Sequence, residues 1–523
     1  MLFLVPIAIL LLTAVLMIVL RVWRPDFGFH WLVATGGAFA AWLMVLFSYT
    51  MLPDSVLVLA WGPQTSYMNS IIISLDQISW PFAAALGTLL LGTLLSDVVR
   101  AYDLSWSIWA SSLLVVGIGL VGIFSANLLT FILIWMAYDL VVILILLFQL
   151  EEERLRRRSV QVFFIHLMGT LCLLLAGVIS ASDNNSVFLE QASPMAALLI
   201  VFAAGFRFGA LPIDSRLQEA PDSRRSFGTV RSLVSMGIVS SLLVRVAGAV
   251  DNVSQAGYLG SLVFSLAGLI ALIYGFAWFF SKSELEGRQA WIMSFGMLII
   301  ASTMRGELNS SLSWALAAIL SGGLLFLASV RSRVSRWIVM LGLIGLSTLP
   351  FTAAWSGLGL FSAPFHISLF LYGISISLLI AGFARHANNA LPEPDGLERW
   401  IRVVYPIGLI VLPLIQLGLG GLYRAELGEV PLSGWIASLL ILVIAGLIFY
   451  WQIRGGTIPR RVVGGVNTFL GLNWLRSFFV SAFHLLARLL KFVSSVLEGE
   501  GGVLWVLLSI VLFLAVLLIT LGS

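Results

Sequence analysis

Long apolar stretches separated by short polar loops recur from one end of the 523-residue chain to the other. A stretch of about 20 apolar residues wound as a helix crosses a ~30 Å hydrocarbon core. On that measure spans are predicted near 2–20, 29–51, 78–99, 107–124, 126–149, 160–181, 194–212, 227–250, 258–280, 290–304, 309–329, 334–355, 363–385, 401–422, 431–451 and 502–522. Between 466 and 497 the pattern changes. Asn473, Ser477, Ser481, His484, Arg488, Lys491 and Ser495 recur every three or four residues, which predicts an amphipathic helix of roughly 45 Å at 1.5 Å per residue.

The loops test this division, because Lys and Arg concentrate on the cytoplasmic side of a membrane protein. Alternate loops carry Arg21 and Arg24, Arg100, the arginines from 154 to 158, those from 216 to 225, Lys282 and Arg288, and so on to Arg460 and Arg461. The opposite loops carry Arg305 and Arg424. The expectation is an all-α polytopic membrane protein of about 16 transmembrane helices with both termini outside the cytoplasm. Composition agrees: 60% hydrophobic residues, 10% charged and a mean hydropathy of +1.05 leave no room for a soluble domain or a nucleic-acid-binding patch. The single cysteine, Cys172, excludes an internal disulfide and an all-cysteine metal site. The first apolar run lacks a basic leader and continues into Arg21-Val-Trp-Arg24, so it reads as a retained span.

Charges inside apolar runs carry the chemistry, since an ionisable side chain in hydrocarbon needs a partner or a water path. Asp139 is the only charge in the fifth span and Arg207 the only one in the seventh. Pro212 and Pro350 lack the N–H for the carbonyls of Phe208 and Leu346 and crowd them, so both helices should break. Broken helices at membrane depth are common in ion transporters. Asp76, ahead of the third span, reads as a helix cap. Glu152 and Glu153 precede Arg156 and Arg157 by four residues, the orientation that supports a helical turn. His166 and Cys172 have no partner visible in sequence, and His166 reads as a buried, hydrogen-bonded histidine rather than a metal ligand.

The order Arg207, four residues, Pro212, a polar linker, Glu219-Ala220-Pro221 and a helix carrying Arg231 and Arg245 resembles the seventh and eighth helices of the antiporter-like membrane subunits. These belong to respiratory complex I, membrane-bound hydrogenases and Mrp-type cation/proton antiporters. The resemblance puts Arg207 where the family has a lysine, Arg231 where it has His or Lys, and Tyr138-Asp139 where it has Trp-Glu. It implies two inverted repeats containing broken helices, a first at 107–250 and a degenerate second at 258–385. They are preceded by helices at 1–106 and followed by 401–523, where the amphipathic helix at 466–497 occupies the place of a lateral helix that clamps adjacent subunits. In the second repeat, 349–356 resembles the family's Leu-Pro-Pro through Trp-Ser-Lys, but Gly357 stands at the lysine position. The 318–329 helix lacks both basic residues of a His-x-x-x-Lys pattern.

Lysine can be brought to release its proton near neutrality for roughly 5 kcal/mol of environmental help, whereas arginine needs about 7.5 kcal/mol and stays protonated in proteins. Arg207 and Arg231 can hold Asp139 as a carboxylate but are poor proton stations. The expectation is therefore a proton-translocation-type subunit of a complex I-like (NADH:quinone oxidoreductase-like) assembly with a degenerate path and a structural or coupling role. It would sit in a bacterial cytoplasmic or equivalent energy-transducing membrane. No cofactor or metal is expected in the chain, and the partners expected are other membrane subunits and the lipid bilayer, not nucleic acid. Two alternatives stay open: an active Mrp-type translocator using Asp139, and an unrelated polytopic membrane enzyme.

Overall fold

The structure, a computed structural model, describes residues 2–60, 70–101, 104–184, 189–210, 222–249, 258–330, 332–350, 352–362, 364–388, 398–422 and 430–454, with 481 and 488. The chain divides into Met1–Asn467, which holds every helix described below, and Thr468–Ser523. The predicted amphipathic helix at 466–497, apart from Ser481 and Arg488, and the predicted last span at 502–522 lie outside the described residues.

Among the described residues fifteen long helices follow one another: α1 (Val5–Trp23), α2 (His30–Phe47), α3 (Ser79–Ser96), α4 (Trp106–Ile123), α5 (Leu128–Gln149), α6 (Glu153–Asn184), α7 (Pro194–Phe208), α8 (Phe227–Arg245), α9 (Tyr258–Phe280), α10 (Glu284–Met304), α11 (Leu308–Leu327), α12 (Arg333–Leu346), α13 (Leu369–Asn388), α14 (Arg399–Leu422) and α15 (Leu432–Ile453). Each lies on one predicted span, and twelve have the length and hydropathy to cross a membrane by themselves. The molecule is an all-α polytopic membrane protein. α6 and α10 start earlier than hydropathy suggests because polar first turns continue them. In α6 the exposed Arg157–Glu153 pair at 2.7 Å spans that turn, and in α10 Ser283 caps the helix by accepting the Glu286 amide.

Contacts between helices repeat. α4 to α8 form a closed ring in which α4 packs on α5, α5 on α6, α6 on α7, α7 on α8, and α8 back on α4. α9 to α13 form a second ring with the same five contacts in the same order. Five spans are an odd number, so the chain enters the second ring from the opposite face. α8 packs against α10 and α11 to join the rings, and α3 and α14 lie against α11. α3, α8 and α11 bury nearly all their residues, whereas α1, α2, α6 and α15 present broad apolar faces outward. That outward apolar surface is what lipid requires.

Both expected breaks fall in these rings, at matching places. α7 ends at Phe208 and α12 at Leu346, the residues whose carbonyls Pro212 and Pro350 would leave unpaired. Proline is not sufficient, since Pro406 and Pro413 sit inside an unbroken α14. What stops α7 is Gly209, at φ 86°, where side chains are strained. The Ala210 amide donates to Gly205 O and the Gly209 amide to Phe206 O, the paired bonds of a Schellman end. Pro212 itself lies outside the described residues. α12 instead turns extended at Ser347, and a 3₁₀ helix, Ser356–Phe361, follows the break.

One element is not foreshadowed by the apolar pattern, an antiparallel hairpin of β1 (Asp54–Ala60) and β2 (Ser70–Leu75). It clasps the turn between α4 and α5, with the Ser74 amide donating to Phe124 O and the Ala126 amide to Ile72 O. Asp76 follows it and caps α3: its Oδ1 accepts the amides of Ile78 and Ser79. Its Oδ2 lies 2.7 Å from Arg245, which also reaches Glu190 at 3.5 Å.

At the other end of the bundle, Arg225 donates to Phe326 O and Ala328 O and pairs with Glu284 at 2.7 Å. Ion pairs thus join chain ends that the loop-charge pattern assigns to one side of the membrane. Cysteines placed at Arg156 and Asp54 in a Cys172→Ser background are expected to react with impermeant thiol reagents from opposite faces. Labelling of both from one face would sink this topology.

Candidate functional site

α5, α6, α7 and α8 each bring one face to a point inside the first ring. α5 is fixed at its start by Asn127, whose Oδ1 accepts the Thr130 amide at 2.8 Å. Three turns on, Trp135, Tyr138 and Asp139 point inward and are buried. α7 begins at a Ser193 cap and delivers Arg207 in its last turn, where the carbonyl end of the helix favours a cation.

Arg207 forms an ion pair with Oδ1 of Asp139, and both side chains are nearly inaccessible. Its Nε donates to Ser235 Oγ of α8 at 2.9 Å. The guanidinium lies over the rings of Trp135 and Tyr138, 4.6 and 5.2 Å from their centroids. An arginine so held has two aromatic faces and a carboxylate to offset its loss of water. Tyr138 donates its hydroxyl to the carbonyl of Arg231 at 2.8 Å, which ties α5 to α8 where the second buried arginine stands.

A residue of α6 joins them. His166 of α6 places Nδ1 3.2 Å from Oδ1 of Asp139, the oxygen Arg207 also holds. The sequence reading left His166 without a partner. Reflecting Asp139 through the turn between α5 and α6 lands within one helical turn of His166, so antiparallel packing was the missing signal.

The second ring differs. No Asp, Glu, Lys, Arg or His occurs from 289 to 304, 308 to 327, 337 to 362 or 369 to 384. Gly345 stands five residues before Pro350, as Arg207 stands five before Pro212. The space beside it holds Gln416 of α14, whose Cδ would be 2.6 Å from a Cβ on Gly345. Gln416 is buried and donates from Nε2 to Ser321 Oγ of α11 at 2.9 Å. Gly357 is likewise occupied from outside: Trp314 of α11 donates Nε1 to its carbonyl at 2.9 Å and Ser310 donates its hydroxyl at 2.7 Å. A cleft beside the break of α12, lined by Asn309, Leu312, Ser313, Leu316, Thr352 and Leu419 among others, is largely apolar and uncharged. Among the described residues no group of His, Cys, Asp and Glu side chains is placed to hold a metal ion.

These features define a class: a polytopic helical membrane protein of two five-helix rings, with a buried charge cluster in the first ring. No family model and no curated protein matches the chain. Solved structures do. A chain of the Mrp complex from Dietzia sp. DQ12-45-1b superposes with a TM-score of 0.71 at 15% identity over 99% of this chain, which spans 63% of that chain's length. A chain of the membrane-bound sulfane sulfur reductase, an archaeal respiratory membrane complex, gives 0.68 at 14% identity over 97% of this chain and 99% of that one. A chain of respiratory complex I from Thermus thermophilus gives 0.58 at 15% identity, covering 81% and 98%. The fold is shared with these three chains.

Proposed function

We propose that the chain is an antiporter-like subunit of a multi-subunit, complex I-like or related membrane assembly, in which it serves a structural or coupling role and does not pass protons across the membrane. The observation that carries this reading is the second ring, where Gln416 and Trp314 fill the places beside Gly345 and Gly357 with neutral side chains. A proton crossing the bundle needs titratable or well-hydrated stations in both rings. The first offers an aspartate held by arginine and the second offers amide, indole and hydroxyl groups bonded to their neighbours. Its proposed partners are other membrane subunits, and its proposed location is a bacterial cytoplasmic or equivalent energy-transducing membrane with both termini on the far side from the cytoplasm.

One contact favours a second reading, active proton or cation translocation of the Mrp type: His166 on Asp139 gives the first ring a group that can exchange protons. Reconstitution of the purified assembly in liposomes with a pH-sensitive dye separates the two. Asp139→Asn is expected to lower the yield of assembled complex, with no proton flux attributable to this subunit in either protein. Normal assembly with flux lost in Asp139→Asn would overturn the structural reading in favour of translocation.

A further inference from the structure

The charge cluster contains two kinds of group. Arg207 and Arg231 keep their charge at any physiological pH, because guanidinium does not release its proton in proteins. Asp139 is held by Arg207 on Oδ1. An arginine at the end of α7 therefore leaves the helix pair α5/α7 with nothing that titrates near neutrality. Among the described residues, the one side chain in contact with Asp139 that ordinarily changes charge between pH 5 and 8 is His166.

We propose that His166 is the proton-exchanging group of this site. Its chemistry follows from the contact. A carboxylate only accepts hydrogen bonds, so Nδ1 carries a hydrogen and donates it to Asp139 Oδ1. That leaves Nε2 as the nitrogen that takes up and releases a proton, while the Nδ1–H bond keeps the ring in place. Uptake converts imidazole to imidazolium and changes the charge of the cluster by one, with Asp139 and both arginines unchanged. The groups facing His166 are Asp139 from α5, Arg207 from α7 and Arg231 from α8. On α6 itself, 159–182 contains no other ionisable side chain except Cys172. Burial and the two arginines oppose the imidazolium, and the Asp139 carboxylate is the facing group that favours it, so the proposal depends on that carboxylate.

This rests on the functional reading above only for the location of the site. It concerns a protonation state rather than flux, so the two fail in different measurements. The full-length protein, labelled with ¹³C at histidine Cε1 and purified in nanodiscs, has five histidines to resolve by NMR. The resonance missing from His166→Gln belongs to His166. It is expected to shift between two limiting positions from pH 5 to 8 in the wild type, and to lose that titration within the window in Asp139→Asn. Asp139→Glu, which keeps the charge and moves it, covers the case in which Asp139→Asn does not fold: the titration should persist with a displaced midpoint. A His166 resonance that stays in one form from pH 5 to 8 in the wild type overturns the proposal. So does a titration indifferent to both changes at Asp139.

Discussion

Replacing Asp139 with alanine while Arg207 remains is expected to destabilise the protein by about 3–5 kcal/mol, the usual cost of leaving one member of a buried ion pair uncompensated. Arg207 cannot relax to water from its position, since its side chain is almost fully buried between Trp135 and Tyr138 and is tethered to Ser235. Removing both charges should be far milder. Arg207→Met keeps the length that packs against the two aromatic rings and brings no charge to be left behind, so the Asp139→Ala/Arg207→Met double variant should recover most of the loss. Unfolding of the four proteins in one detergent, read as a double-mutant cycle, gives the coupling directly. Additive losses, or a loss below about 1 kcal/mol in Asp139→Ala, would show that the pair is not the fastening its geometry makes it.

A second large effect is expected at Gly357. Restoring a lysine there should prevent accumulation of folded protein, because a Cβ at that position would lie 2.6 Å from Cε2 and 2.8 Å from Cζ2 of Trp314. Trp314 is completely buried and bonded to the Gly357 carbonyl, so it has nowhere to go. Overpacking of this kind costs about 1–3 kcal/mol, and an ammonium buried without a partner adds several more. Trp314→Ala in the same chain removes the clash and should bring back part of the folded yield, measured by size-exclusion chromatography after membrane extraction. Gly357→Lys that accumulates at the wild-type level with an unchanged melting temperature would contradict this. No proton flux is expected from either protein, since Arg207 and Gln416 are untouched.

These two sites also show how far the sequence could be followed. Helix number and order through α15 were legible because each span must be apolar along about 20 residues, a signal that needs no partner. The positions of the ends of α7 and α12 were legible because each proline points to a carbonyl four residues back, although Gly209 and the extended turn at Ser347 are what end the two helices. The charge pattern marked Asp139 and Arg207 as anomalies, while it was the resemblance to antiporter-like subunits that marked Gly357 as a missing charge. What it could not show is what fills a vacated place. Trp314 and Gln416 come from helices distant in sequence, and neither residue is unusual in an apolar helix. Nor could it show His166 against Asp139, which depends on the depth at which two antiparallel helices pass each other. The hairpin of β1 and β2 was missed because SIIISL, short and apolar, reads equally well as the approach to α3.

Arg225 adds a mechanical consequence. It stands just ahead of α8, in the stretch through which the chain returns after the end of α7. It grips Glu284 at the start of α10 and the last carbonyls of α11. Arg288 adds a second tie, donating to the carbonyl of Arg224 at 2.6 Å and to Thr229 Oγ1 at 3.2 Å. The entrance to α8 is thereby strutted to the second ring from two directions. Any displacement of the arginine-bearing helix ends in the first ring would load α10 and α11 before it could dissipate in a loop. A second ring that carries no charge from 289 to 304 or from 308 to 327 would still transmit force.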